Sequence, residues 1–387
     1  MRMTAARVVW ALGVVAAALA LIAAILVATA LPFGYDFRAY WLAAHHLVTG
    51  APLYQAPNAV LGQPDEFHYL PVVAVPFIAL LPLSIEAASW VWFALELALA
   101  VAFGVKLMFR LPSVARPWAG AAYIFFLPLV LEVTLGNLDL LCVVLALIAW
   151  NWRGRPNAAF TPYAAAIGIK FLPVVLLPFY LAAGYTRIVW RAFVLGAAAL
   201  ALTLPFLWVP MADFWALLPR YLDTEWVRLH AEREQPVFLA TIAWSDAFPI
   251  VLALLAVVAG IVFGRNARAD PARETEWHDL ALAISPYGTP FGFIWTTFLI
   301  ASIPLFVVTL RKALRLEGLE RVLAIVGLVA CWWAMQIVQV HDLWPIVAHM
   351  VGVLGLVAIA LVLMRLERDQ ALGRSIPVRR ATSTASG

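Results

Sequence analysis

Long apolar stretches, separated by short polar intervals, run through almost the whole chain. They lie at 8–31, 86–108, 118–135, 138–152, 158–170, 171–185, 188–209, 247–264, 277–288, 291–310, 321–340 and 343–364. About 20 apolar residues are needed for a helix to cross a membrane. The pattern therefore predicts an all-α polytopic membrane protein, a bundle of about twelve transmembrane helices in which the shorter stretches form broken or re-entrant helices.

The interval from 32 to 71 is the one long polar segment in the first part of the chain, and we expect it to form the first loop outside the membrane. Apolar side chains recur in it every three or four residues, at Phe37, Tyr40, Trp41, Ala44 and Val48. This spacing predicts a surface helix over 37–49, which the following Gly50 and Pro52 end. The apolar segment 70–83 that follows is short and contains three prolines, so we expect a half-depth or tilted helix.

The apolar stretches continue without a soluble insertion, which predicts a single membrane domain over 1–364. A second outer loop, 210–246, begins with an amphipathic segment whose apolar side chains, Phe214 and Leu217 among them, we expect to lie on the membrane. The polar, basic tail at 365–387 is expected to be disordered and cytoplasmic.

Composition excludes a soluble protein. Hydrophobic residues make up 65% of the 387 residues and charged residues only 12%, whereas soluble domains carry about 25% charged residues. The two cysteines, Cys142 and Cys331, fall in apolar runs and form no zinc or disulfide pattern. A Gly-rich phosphate loop is also missing from the sequence, which argues against a cytosolic nucleotide site.

The distribution of positive charge predicts the orientation. With both termini cytoplasmic, most lysines and arginines lie on the cytoplasmic side, as the positive-inside rule requires. The exceptions are Arg38, Lys170, Arg220, Arg228 and Arg233. The same topology places most acids and histidines outside, so we expect a multi-pass protein of the cell membrane with an extracytoplasmic site.

Four stretches resemble glycosyltransferase family 87, and two shorter ones resemble it more loosely. The four are GYDFRAYWLAAHHLVTGAPLYQ (34–55), FHYLPVVAVPFIALLPLS (67–84), LGNLDLLCVVLALIAWNWRGRP (135–156) and AAAIGIKFLPVVLLPFYLAAGYTR (164–187); the two are EQPVFLATI (234–242) and ISPYGTPF (284–291). The resemblance implies a GT-C-like fold and inverting transfer of a sugar, typically mannose, from a polyprenyl phosphate. It also implies that Asp36 matches the family's catalytic aspartate.

This chain departs from the family pattern at two places. The family's Gly-Gln-x-Asn stands here as Gly136-Asn137-Leu138-Asp139. After the Ser-Pro-Tyr segment, polar residues of the family are replaced by Gly292, Phe293 and Ile294.

Asp36 and Lys170 are the leading candidates for the chemistry. Transfer from a lipid-phosphate sugar needs a base for the acceptor hydroxyl and positive charge for the departing phosphate. Asp36, at the mouth of the first loop, can be that base, or it can cap the helix that starts at Phe37. Lys170 can contact the phosphate or snorkel to the interface. Arg38 can share this role, or pair with an acid of the first loop.

Further polar residues on the predicted outer side are candidate substrate contacts. They are His68, Tyr69, Asn137, Asp139, Tyr287 and His341, and for each the alternative is packing, capping or a bond between helices. We expect neither a metal nor a cofactor. The expected partners are a polyprenyl-phosphate sugar donor, a glycolipid or glycan acceptor and membrane lipids, with no nucleic acid.

A transporter or flippase of lipid-linked sugars is the alternative function. Broken helices and charges within the membrane are typical of transporters as well. Transporters usually contain internal repeats, and this sequence shows none, which favours the transferase.

Overall fold

The computed structural model describes residues 33–54, 67, 69–170, 175–221, 247–288, 296–336 and 343–374, and every regular element in these ranges is helical. In the first half these are α1 (Tyr35–Thr49), a 3-10 helix (Pro71–Leu80), α2 (Ile85–Met108), α3 (Arg116–Ile124), α4 (Leu127–Leu135), α5 (Asp139–Asn151) and α6 (Pro156–Ile169). In the second half they are α7 (Leu177–Ala182), α8 (Thr186–Tyr221), α9 (Ala247–Ala269), α10 (Glu274–Ile284), α11 (Ile303–Ala313), α12 (Gly318–Ala334) and α13 (Leu343–Arg374), with short 3-10 turns at Pro271–Arg273, Ser285–Gly288 and Thr296–Ser302. The predicted all-α class is confirmed for the described residues.

Four of the described helices are long and apolar enough to cross a membrane. They contain the segments Ile85–Met108, Thr186–Ala216, Val251–Ala269 and Ala348–Gln370. The pair α3 and α4 adds a fifth if it is one broken span, since the two helices meet at a bend of 50°. The chain is thus a polytopic membrane protein, and the total of about twelve crossings stays a prediction.

The predicted helix of the first loop is confirmed, but its apolar face does not lie on a membrane surface. α1 ends at Thr49 and is followed by Gly50, as expected. Phe37, Tyr40 and Ala44 are buried inside the protein, where Phe37 and Tyr40 pack on Phe77 of the 3-10 helix. An amphipathic pattern has the same period whether its apolar face meets lipid or protein. The expectation of a surface helix was therefore wrong for these three residues.

The half-depth segment forms a 3-10 helix of ten residues at Pro71–Leu80. At a rise of about 2 Å per residue it extends for about 20 Å, short of the ~30 Å hydrocarbon core of a bilayer. Its length agrees with the prediction that 70–83 does not cross by itself.

Two helices continue beyond the predicted boundaries. α8 runs past 209 to Tyr221 with a kink at Leu207, so the start of the predicted loop 210–246 is helix. Phe214 packs on Tyr54 and is 2% exposed, which corrects its predicted position on the membrane. α13 runs to Arg374, so the tail is not disordered over 365–374. The predictions for 222–246 and 375–387 lie outside the described residues.

Close approach between helices depends on small residues. Gly264 of α9 faces the backbone of α7, and a Cβ on it would lie 2.5 Å from the Phe179 carbonyl oxygen and 2.8 Å from the Ala182 side chain. Gly260, one helical turn earlier, faces the same helix. Small residues at this spacing let helix backbones approach each other within membranes.

We predict that Gly264→Ala destabilises the protein by about 1–3 kcal/mol, because the added methyl group collides with backbone that cannot yield. The measurement is the midpoint of thermal unfolding of the purified protein in detergent. Gly196→Ala is the matched control, because Gly196 also lies within a long apolar helix but a Cβ there meets nothing within 4 Å. Equal midpoints for the two variants would contradict the prediction.

Candidate functional site

The turn between α4 and α5 is the centre of the site. Gly136 ends α4 in the left-handed conformation (φ 73°), and the N–H groups of Gly136 and Asn137 both donate to the Glu132 carbonyl. A Cβ on Gly136 would lie 2.8 Å from the Phe37 Cβ and 2.9 Å from the Trp92 ring. Glycine is thus required both by the backbone angle and by the close packing of α1 and α2 on this turn.

Backbone contacts fasten the start of α1 to the same turn. The Gly34 N–H donates to the Thr134 carbonyl at 2.9 Å, and the Trp92 indole N–H donates to the Gly136 carbonyl at 3.0 Å. Gly34, with φ 67°, is the N-cap of α1, and Asp36 lies in the first turn of the helix. The alternative in which Asp36 caps a helix starting at Phe37 is therefore wrong. A carboxylate in the first turn still interacts favourably with the helix dipole.

Lys170 joins the site from the end of α6. Its ammonium donates to Asn137 Oδ1 at 3.0 Å and to Asp139 Oδ1 at 2.6 Å, and it lies 5.6 Å from the centre of the Tyr69 ring. The Asp139 side chain is fully buried, whereas 14% of the Lys170 side chain is exposed. Lys170 thus pairs within the protein rather than snorkelling to an interface, and one side of it remains accessible.

Two phenols next to Lys170 are hydrogen-bonded to each other. The Tyr40 hydroxyl lies 3.0 Å from the Tyr69 hydroxyl and 3.4 Å from Asn137 Oδ1, and the Tyr54 hydroxyl donates to the Tyr69 carbonyl at 2.7 Å. Both phenols lie within electrostatic range of Asp36 and of Asp139. The site therefore unites the first turn of α1, the end of the first loop, the turn before α5 and the end of α6.

Burial keeps both phenols neutral. It raises the pKa of Tyr69 to about 12 and that of Tyr40 well above its ordinary value, with the negative charge of Asp36 adding to both shifts. At neutral pH the two side chains carry O–H groups that can donate hydrogen bonds. They do not act as bases there, which leaves the carboxylates as the candidate bases among the described side chains of the site.

Sequence reasoning missed Tyr40 and Glu132. Tyr40 lies four residues after Asp36, and on a helix this spacing puts the two side chains on one face, a signal that was available. Glu132 is fully buried, and its Oε1 accepts from the Leu140 N–H at 2.7 Å, which satisfies an N–H group at the start of α5. The position of Glu132 in the sequence gives no signal for this bond to the Leu140 N–H. Glu96, also buried, lies within electrostatic range of Glu132 and Asp139.

The structure describes only some of the other predicted site residues. Arg38 lies on α1, and its Nε is buried without a hydrogen-bond partner in the described part of the chain. Tyr287 lies in the larger hydrophobic core, where its hydroxyl donates to the His349 carbonyl at 3.4 Å. His68 and His341 lie outside the described residues. The substrate contacts of all these residues stay predictions.

The described residues contain no group of three or more His, Cys, Asp or Glu side chains that could hold a metal ion. The expectation of a metal-free site stays a prediction, and no step below depends on a metal.

Comparison with protein families identifies the chain. The sequence model of glycosyltransferase family 87 matches residues 67–286, which is more than half of the sequence. This chain belongs to glycosyltransferase family 87. The family predicted from sequence is thereby confirmed, and the chain is a membrane glycosyltransferase. Comparison with curated proteins and with solved structures gives no match.

The matched residues cover part of the site only. Tyr69, Asn137, Asp139 and Lys170 lie inside the match, whereas Asp36 precedes its first residue. The role of Asp36 therefore rests on its position in the structure and on its sequence context, not on this comparison.

We predict that Gly136→Ala lowers glycosyl transfer on the order of 10²-fold, because the methyl group pushes α1 away from the turn and misplaces the reacting groups. The measurement is the rate of product formation by the purified variant. Gly184→Ala is the control: Gly184 has φ 93°, so the backbone strain is comparable, but a Cβ there meets nothing within 4 Å. If both variants lose the same activity, strain alone explains the effect and packing on the turn does not matter.

Proposed function

We propose that this chain transfers a hexose, with mannose as the expected sugar, from a polyprenyl phosphate to a lipid-linked or glycan acceptor at the extracytoplasmic face, with inversion at the sugar. Asp36 accepts the proton of the attacking hydroxyl, and Lys170 stabilises the phosphate that leaves. The observation that supports this most directly is the Tyr40–Tyr69 pair, which lies beside Lys170 and within electrostatic range of Asp36.

The transfer reaction needs few catalytic groups from the protein. The acceptor oxygen forms a bond to the anomeric carbon while the bond from that carbon to the phosphate oxygen breaks, and its electron pair stays on the phosphate. One carboxylate suffices as general base. The lysine is a fixed positive charge near the developing negative charge. A pair of carboxylic acids flanking the bond, as in glycoside hydrolysis, is not required.

The arrangement of charge along α5 supports the extracytoplasmic side. Asp139 and Lys170 lie at the start of α5, and Arg153 follows its end, about 20 Å away for 13 residues. Arg153 pairs with Glu274 at 2.8 Å, and Lys312 pairs with Glu276 at 2.9 Å and with Glu367. Arg153 and Lys312, both predicted to be cytoplasmic, thus lie toward the end of α5 opposite the site, as the proposed orientation with cytoplasmic termini requires.

Family membership favours transfer over transport of a lipid-linked sugar. A mass-spectrometric assay with polyprenyl-phosphate mannose separates the two: a glycosylated product supports the transferase. Movement of the lipid across a vesicle membrane without any product would reject it.

We predict that Asp36→Asn lowers the transfer rate by about 10²–10⁴-fold, the usual contribution of a general base, while the protein stays folded and its unfolding midpoint falls only slightly through the weaker interaction with the helix dipole. The measurement is a single-turnover assay on purified protein. Glu320→Gln is the matched control, because Glu320 also lies in the first turn of a helix, α12, far along the chain. Full activity of the Asp36 variant would overturn the proposed role.

We predict that Lys170→Gln raises KM for the polyprenyl-phosphate donor by about tenfold or more, because the phosphate loses a nearby positive charge. Lys170→Arg keeps the charge and is expected to retain most of the donor affinity. The measurement is the dependence of initial rate on donor concentration. A KM that is unchanged in both variants would exclude Lys170 from the phosphate site.

A further inference from the structure

Lys170 forms an ion pair with Asp139. The Asp139 carboxylate is fully buried and lies 2.6 Å from the ammonium, while the accessible part of the pair belongs to Lys170. A substrate that approaches the site therefore meets the lysine side of an ion pair whose net charge is zero. The carboxylate, enclosed behind the lysine, reaches the substrate through its field and not by contact.

The second partner of the ammonium is neutral. Asn137 Oδ1 accepts from Lys170 at 3.0 Å and also from the Leu138 N–H at 2.7 Å. Two side chains of nearly equal shape, two residues apart, thus accept hydrogen bonds from one ammonium, and of these two only Asp139 is charged. The buried Glu132 carboxyl also lies within electrostatic range of the ammonium. An asparagine and an aspartate can be exchanged here with little change in volume.

From this asymmetry we infer that Asp139 is a positioning residue that sets the affinity of the site for phosphate. It holds Lys170 in place and offsets part of its charge, so that the site can stabilise the departing phosphate and still release the polyprenyl phosphate product. This inference rests on the proposed function, since it takes a phosphate to be the group that Lys170 meets.

The enzyme must release the polyprenyl phosphate product after each turnover, and a lysine without a counter-charge would hinder that release. The leaving group carries more negative charge after the bond to the sugar has broken than before, so a lysine without a counter-charge would hold the product more tightly than the donor. A buried carboxylate next to the ammonium reduces the attraction for both, and most for the more highly charged product. The neutral Asn137 fixes geometry without this effect.

The test is a charge exchange between the two partners of the ammonium. Asp139→Asn removes one negative charge, Asn137→Asp adds one, and the double variant Asn137→Asp/Asp139→Asn restores the total. The probe is farnesyl phosphate, titrated calorimetrically into the purified full-length chain in nanodiscs, with farnesol to show the contribution of the phosphate. Each variant is also assayed for kcat and for donor KM.

We expect Asp139→Asn to bind farnesyl phosphate about tenfold more tightly and Asn137→Asp about tenfold more weakly, with the double variant within about threefold of the wild type. Asp139→Asn should also lower kcat together with KM, because product leaves more slowly. Two results would overturn the inference. One is weaker or unchanged binding of farnesyl phosphate by Asp139→Asn. The other is a double variant whose affinity for farnesyl phosphate does not return to that of the wild type.

Glu276→Gln is the matched control, since it removes a carboxylate from another lysine pair, Lys312–Glu276 at 2.9 Å, at the opposite end of the protein. It should leave the affinity for farnesyl phosphate unchanged, and a shift as large as that of Asp139→Asn would show that any lost ion pair acts the same way. The binding assay needs no transfer. If the wild type does not bind farnesyl phosphate, the proposed donor fails and the inference with it; if it binds but the charge exchange has no effect, only the inference fails.

Discussion

The structure depends on how one ammonium is placed in a largely apolar protein. A cation away from water is unfavourable unless opposite charge and hydrogen-bond acceptors surround it. For Lys170 these are Asn137, in the turn before α5, and Asp139, the first residue of α5. This turn requires a left-handed glycine at position 136, and α1 and α2 pack closely against that glycine. The turn that supplies Asn137 thus also carries the packing of α1, the helix whose first turn contains Asp36.

Much of the helical architecture could be predicted from the sequence, because apolar run length and proline position are local properties. The end of α1 at Thr49 and the short helix at Pro71–Leu80 are examples. Helix ends were less predictable where a helix leaves the apolar region and continues. Hydropathy indicates where the apolar stretch of a helix ends. The backbone can stay helical past that point, as it does in α8 and α13.

The candidate site was predictable in its charged members but not in their connections. Asp36 and Lys170 stood out because charge is rare in this chain. That Lys170 pairs with Asp139, 31 residues earlier, is set by how α5 packs on α6, and no spacing rule states it. Tyr40 was taken for part of an apolar face because its ring has that character. Its hydroxyl gains a role through Tyr69, which approaches from a different part of the loop, and through Asn137.

The match to glycosyltransferase family 87 begins at residue 67, yet the structure argues that the segment before it belongs to the same site. The bonds that fasten the start of α1 use backbone groups, such as the Gly34 N–H on the Thr134 carbonyl. Backbone contacts can be kept while side chains change, so they leave little trace in a sequence comparison. Two glycines whose conformations side chains rarely adopt, Gly34 and Gly136, hold α1 against the matched core. Gly34 and the start of α1, which precede the match, are therefore fastened to the turn at the centre of the candidate site.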